Sequence, residues 1–157
     1  MRFSGSILLF TLLGIMPMFA QYGSKKAMTL STAKEIASAA EAEATKNNWT
    51  VVIAIVDDGG NLVYLQKMDG TQIGSIEVAQ AKAKSAVNFK RPTKVFEEAL
   101  AGGRTALLKL PGAIPIEGGI PIMAGDQIVG AIGVSGVQSN QDGQIAQAGL
   151  AASAKIK

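Results

Sequence analysis

The sequence has no cysteine and no histidine. Without cysteine there is no disulfide framework, thiol nucleophile, iron–sulfur cluster or thiolate zinc site. Without histidine, Ser-His-Asp catalysis, the HExxH zinc site and the facial iron triad all fall away, because each needs an imidazole as base or nitrogen ligand. Aromatic residues make up only 5% of the chain, and they form no base-stacking platform. The net charge of +3 comes from lysines scattered between Lys25 and Lys157 rather than gathered in a stripe, so nucleic acid is not an expected partner.

What is present is apolar: 48% of 157 residues, enough for one domain around one core. The long apolar run lies at the N-terminus. In "MRFSGSILLFTLLGIMPMFA", Arg2 precedes an apolar stretch from Ile7 to Ile15, Pro17 breaks a helix, and Ala20 stands before Gln21. This pattern predicts a secretory signal peptide over residues 1–20, cleaved after Ala20. The run is short against the roughly 20 residues a bilayer core needs, so no stable membrane insertion is expected after cleavage. The expected location is secreted or periplasmic. Residues 21–28 read as a flexible tether and 29–157 as a single domain.

Periodicity divides that domain into elements. Thr29 or Ser31 can cap a helix to about Asn47 that buries Leu30, Ala33, Ile36, Ala37, Ala40 and Ala44, residues recurring at the helical period. "VVIAIV" (51–56) is a β-branched run for a central strand, and "DDGGN" (57–61) turns it back into "LVYLQ" as a hairpin. A second helix is expected from about Gln72 to Phe89, burying Ile73, Ile76, Ala79, Ala83, Ala86 and Val87, with Lys82, Lys84 and Lys90 off that stripe. Pro92 ends it, and Thr93 can cap a short helix through Leu100 that "AGG" closes. Leu107 to Pro111 reads as a connector. "GIPIMA" and "QIVGAIGV" are two strands around a Gly125-Asp126 turn, and "SNQD" (139–142) is a capping box before a last helix with Ile145, Ala148, Gly149 and Ala152 on one face. Strands joined by tight turns predict an α+β sandwich: a central antiparallel sheet of about five strands flanked by about four helices.

Several chemical motifs fail on spacing. "GAIGVSG" (130–136) has G-x-x-G-x-x-G instead of the dinucleotide fingerprint. It reads as a strand thinned by glycine, letting helices approach, above all the alanine-rich last one. Ser135 lacks the second glycine of a nucleophile elbow, since Val137 stands there, and no histidine or nearby lysine can activate it. Asp58, Asp126 and Asp142 fit turn and cap roles, and no D-x-D-x-D-G series is present, so no metal site is expected.

What remains is a set of acidic and glycine positions. Asp57 and Asp69 end or follow strands of one hairpin, where a shared cleft is conceivable. "EGGIPI" (117–122) supports two readings. Gly118 and Gly119 could aim N–H groups into an anion-binding concavity beside Glu117, or the segment is a loop entering an edge strand, since Pro121 cannot donate to a ladder.

Taken together, "AIVDDGGNLVYLQKMDG", "AQAKAKSAVNFKRPT", "EGGIPI" with "GAIGVSG", and "QDGQIAQAGLAA" resemble the GlcG/HbpS family, which includes the C-terminal domain of PduO-type proteins. The resemblance runs from Met28 to about Ala154. It implies a profilin-like sandwich, homo-oligomers, and haem or corrinoid-linked ligands. Matching the motifs places a ligand pocket at Asp57, Lys67, Asp69, Lys84, Glu117, Gly118 and Gly119. Family members often carry histidine where Asn61 stands and arginine where Lys67 stands. Iron ligation by imidazole is impossible here, so a bound haem would use Tyr64, Met68, Met123 or a lysine, or be held by its propionates and apolar contacts alone.

Three functions follow as expectations. The first is a secreted small-ligand binder, with haem or another tetrapyrrole as the possible cofactor. The second is an enzyme on a small anionic or oxo-acid metabolite, with Glu117 or Asp57 as general base. The third is a ligand-free oligomeric scaffold. The expected partners are a small molecule and further copies of the chain.

Overall fold

A computed structural model describes residues 23–153; the leader and the first residues of the tether lie outside them. Helix α1 (Leu30–Lys46) opens at Thr29, whose hydroxyl accepts the Thr32 N–H, so the cap falls on the first of the two predicted residues. Ala33, Ile36, Ala37, Ala40 and Ala44 are buried as the period requires, whereas Leu30 is 52% exposed. It sits in the first turn, before the helix has met the sheet.

Strands β1 (Val52–Asp57) and β2 (Leu62–Lys67) form the expected hairpin, and β3 (Gly119–Ala124) and β4 (Gln127–Ser135) form the second. Their order across the sheet is β2-β1-β4-β3, with every neighbour antiparallel. The sheet therefore has four strands, one fewer than the sequence implied. The Leu107–Pro111 region is a connector as expected, and Thr105–Lys109 forms a short 3-10 turn at its start.

The fold is the predicted α+β sandwich. Helices α1 and α4 (Ser139–Ser153) pack on one face of the sheet over Ile53, Ile55, Ile132 and Val134. Helix α2 (Ser75–Phe89) covers the other face over Val52, Ala54, Val56 and Ala131. β1 is buried on both faces, which is why its sequence shows no alternation. Of the two glycines of β4, Gly130 faces the Val56 carbonyl oxygen of β1, and Gly133 serves the opposite helix from the one expected. A Cβ on Gly133 would lie 2.0 Å from the Ala79 carbonyl oxygen of α2, so it is α2 that sinks onto the strand.

α2 starts at Ser75 rather than Gln72, which leaves Ile73 in the approach loop and 81% exposed. Helix α3 (Lys94–Ala101) follows the Pro92 break, but Thr93 does not cap it. Its hydroxyl accepts the Gly119 N–H at 3.0 Å instead, tying β3 to the α2–α3 corner. The "SNQD" segment works one residue out of register with the expected box. Gln141 Oε1 accepts the Gln138 N–H, Asp142 Oδ1 accepts the Val137 N–H, and the Ser139 hydroxyl donates to Glu97.

Candidate functional site

The structure divides the predicted pocket residues among three places. Lys67 ends β2 and Asp69 follows it, both exposed, opposite the start of β1 at Val52. Asp57 ends β1 at the other end of the same hairpin. Five residues of strand, roughly 16 Å at ~3.3 Å per residue, hold the two aspartates apart, so the shared cleft does not form. Antiparallel pairing decides this, because the residue after one strand and the last residue of its partner lie at opposite ends.

Asp57 has a local task. Its Oδ1 accepts the N–H groups of Gly59 and Asn61 at 2.9 and 2.8 Å, and the Asn61 amide reaches both carboxylate oxygens. These bonds, the Asn61 side chain first, hold the carboxyl below its ordinary value because they favour the charged form. A carboxylate so engaged is a turn organiser rather than a general base. Lys84 is exposed on α2, with its stem close to Gly60 of this turn.

Glu117, Gly118 and Gly119 form the second group, where the chain crosses α2 to enter β3. A Cβ on Gly119 would sit 2.3 Å from the Lys82 carbonyl oxygen, and one on Gly118 would sit 2.7 Å from the Val134 carbonyl oxygen. Close approach is therefore what requires glycine here. The two N–H groups do not form an open anion nest, since Gly119 donates to Thr93. Glu117 pairs with Lys94 at 3.0 Å and rests on Gly143 of α4, while its backbone N–H donates to Glu97. The Glu117 hydrogen bond also keeps Lys94 protonated above its ordinary value.

Beneath this crossing lies a pair that the sequence reading missed. Lys82, read as lying off the apolar stripe of α2, is buried, with Nζ 2.8 Å from Asp142 Oδ2 and 3.0 Å from the Val134 carbonyl oxygen. Burial pushes the Asp142 carboxyl up, against the Lys82 ammonium and the Val137 and Gly136 N–H groups, which pull it down. The signal was present: Ala79, Lys82, Ala83 and Ala86 fall at i, i+3, i+4 and i+7, so Lys82 lies on the apolar stripe itself.

None of the seven predicted pocket residues lines the open depression of about 510 Å³ at the far end of the sheet, where the two hairpin turns meet the C-terminus of α2. Val87, Met123 and Ile128 supply apolar surface, and Lys25, Lys90, Asp58, Asp126 and Gln127 supply the polar rim. Lys25 is paired with Asp58. Lys90 ends α2 with a left-handed backbone, φ 54°, which costs a non-glycine residue about 1 kcal/mol. Met123 follows a bulge in the β3–β4 ladder and is 47% exposed. Among the described residues no group of three or more acidic side chains is placed to hold a metal ion, and no helix is long and apolar enough to cross a membrane.

A four-stranded antiparallel sheet with α2 on one face and α1 and α4 on the other defines an α+β sandwich. The chain belongs to the family described as haem degrading protein HbpS-like, whose model matches residues 28–151. It is 42% identical to Protein GlcG of Escherichia coli over 112 residues, covering 71% of this chain and 84% of that one. Among solved structures, the Klebsiella pneumoniae protein ORFY superposes with a TM-score of 0.81 at 31% identity, over 89% of this chain and 99% of its own. A PduOC complex with haem superposes at 0.73 and 26% identity, over 81% and 95%.

Proposed function

We propose that this protein binds a planar, largely apolar small molecule bearing acid groups, of the tetrapyrrole type, with haem as the first ligand to test. The observation that carries the reading is the depression between the hairpin turns. Its volume lies in the range of small-ligand sites, and its lining combines the apolar Val87, Met123 and Ile128 with the Lys90 cation at the rim. Membership of the HbpS-like family and the haem bound by the PduOC relative support it.

The enzyme alternative loses ground on geometry. Both proposed bases are committed, Asp57 to its own turn and Glu117 to Lys94 and the Gly143 surface. The proposal extends to a secreted or periplasmic location, from the N-terminal pattern, and to assembly with further copies of the chain.

The test is a titration of residues 21–157 with hemin and, separately, with metal-free protoporphyrin. A saturable Soret shift at micromolar protein is expected. Its absence with both ligands would reject the tetrapyrrole reading. Native mass spectrometry of protein from its own source reports ligand mass and subunit count together, and a bare multimer would favour the scaffold instead.

A further inference from the structure

The chain before α1, "GSKKAM" (23–28), reads as a flexible tether in the sequence, yet the structure lays it across the far end of the sheet. Met28 is its root. The Met28 side chain packs against the main core on the α1 face, and a Cβ on Gly130 of β4 would lie 3.2 Å from its Cε. One turn of chain further out, the Lys26 N–H donates to Gln127 Oε1 at 3.3 Å, where β4 begins. Lys25 then pairs with Asp58 of the β1–β2 turn and stands beside Val87 and Lys90 of α2 in the lining of the depression. The segment thus passes from one face of the sheet to the other and touches both hairpin turns on the way.

These fastenings are unequal. Residues 23–27 are all exposed and belong to no helix or strand, so no ladder holds them. The Lys25 and Asp58 side chains are 68% and 25% exposed, and an ion pair this open to water adds little and is screened by salt. Only Met28 is anchored by apolar packing. The segment can therefore swing about Met28, breaking one ion pair and one hydrogen bond and leaving the core and the Thr29 cap of α1 in place. Segments with few buried contacts are the ones that open first. Lys25, Asp58 and Gln127 all line the depression, so the fastened segment is one of its walls.

From this geometry we infer that residues 23–28 are a strap that gates the depression, closed by the Lys25–Asp58 pair and the Lys26–Gln127 bond, and open when that pair is screened or broken. The gate does not depend on which small molecule the depression holds. A hemin titration without a Soret shift would leave it standing.

The absence of cysteine makes the test direct, because one introduced thiol reports access at a chosen point. Ile128→Cys places it in the depression, next to Gln127, at a residue that is only partly exposed. Leu108→Cys, on the 3-10 turn and outside the depression, is the control. Alkylation by iodoacetamide, which carries no charge, is timed in residues 21–157. Adding Lys25→Gln or Asp58→Asn should speed the reaction of Ile128→Cys by about two- to fivefold in low salt. Sodium chloride at about 1 M should give the same rise with the pair intact and none once Lys25→Gln is present. Leu108→Cys should react at one rate throughout. In parallel, 15N relaxation of residues 24–27 should pass from ordered in the unaltered chain to coil-like in Asp58→Asn. Equal Ile128→Cys rates with and without the pair would overturn the gate, as would a matching rise at Leu108→Cys. Coil-like relaxation of residues 24–27 in the unaltered chain at low salt would overturn the strap itself.

Discussion

Lys82 Nζ on α2 lies 2.8 Å from Asp142 Oδ2 near the start of α4, and the two side chains are 1% and 3% exposed. The ion pair joins the helix on one face of the sheet to the helix on the other, around the end of β4 at Val134. Ions withdrawn from water this far depend on one another, with the Val134 carbonyl oxygen and the Val137 N–H as the further hydrogen-bond partners that offset their lost hydration.

Removing one member should therefore cost more than removing both. Lys82→Met and Asp142→Leu should each destabilise the protein by about 3–5 kcal/mol, because each strands a buried charge. The double variant should lose markedly less than the sum. Urea unfolding midpoints of the four proteins in a double-mutant cycle measure this, and additive losses would show that the two charges are not coupled.

The glycine crossings predict a contrast within one residue type. Gly119→Ala and Gly133→Ala place a methyl group 2.3 Å and 2.0 Å from backbone carbonyl oxygens of α2. Each should destabilise by about 1–3 kcal/mol or more, because backbone cannot move aside as a side chain can. Gly74→Ala meets nothing within 4 Å, on a backbone of φ −58°. It should be neutral or stabilise by about 0.4–1 kcal/mol through the unfolded chain. Thermal unfolding of the three variants compares them directly.

Acid stability should depend on Asp57. Its folded value is depressed below the ordinary 3.8, so its contribution is present above that pH and is lost as pH falls through the lower folded value. Asp57→Asn should lower stability at neutral pH and flatten the loss on acidification below about pH 4. Asp142 has the opposite sign. Its folded value is raised, so protonation at low pH is favoured in the folded state and it does not drive acid unfolding. Unfolding midpoints measured from pH 2 to 7 separate the two.

Glu117→Gln should leave haem affinity unchanged and shift the unfolding midpoint little. The carboxylate is at the start of β3, away from the depression at the other end of that strand, and its partner Lys94 is half exposed. If the substitution abolished ligand binding or a turnover, Glu117 would regain the role of a functional base.

Much of the architecture was legible because it is local. Helical period, β-branched runs, and turns at Asp57–Asn61 and Gly125-Asp126 all depend on neighbours in sequence, and these elements appear with boundaries shifted by a few residues. The candidate site was less legible. Proximity in a hairpin was taken for proximity in space for Asp57 and Asp69, and the glycines at 118 and 119 were open to two causes, an anion nest or a close crossing.

What the sequence determined by itself was the chemistry available: no imidazole or thiol, a single apolar core, two hairpins, and alanine-rich helices that must pack closely. Tertiary structure alone decided which polar groups spend their capacity on one another. Lys82 became a buried partner of Asp142 because two helices meet at the end of β4. Thr93 became a clasp for Gly119 because a loop crosses it. Met123 was left facing a depression because two turns meet at the sheet's end. Such pairings join residues tens of positions apart, and hydrogen bonding and desolvation act on distance in space, which no short window of sequence contains.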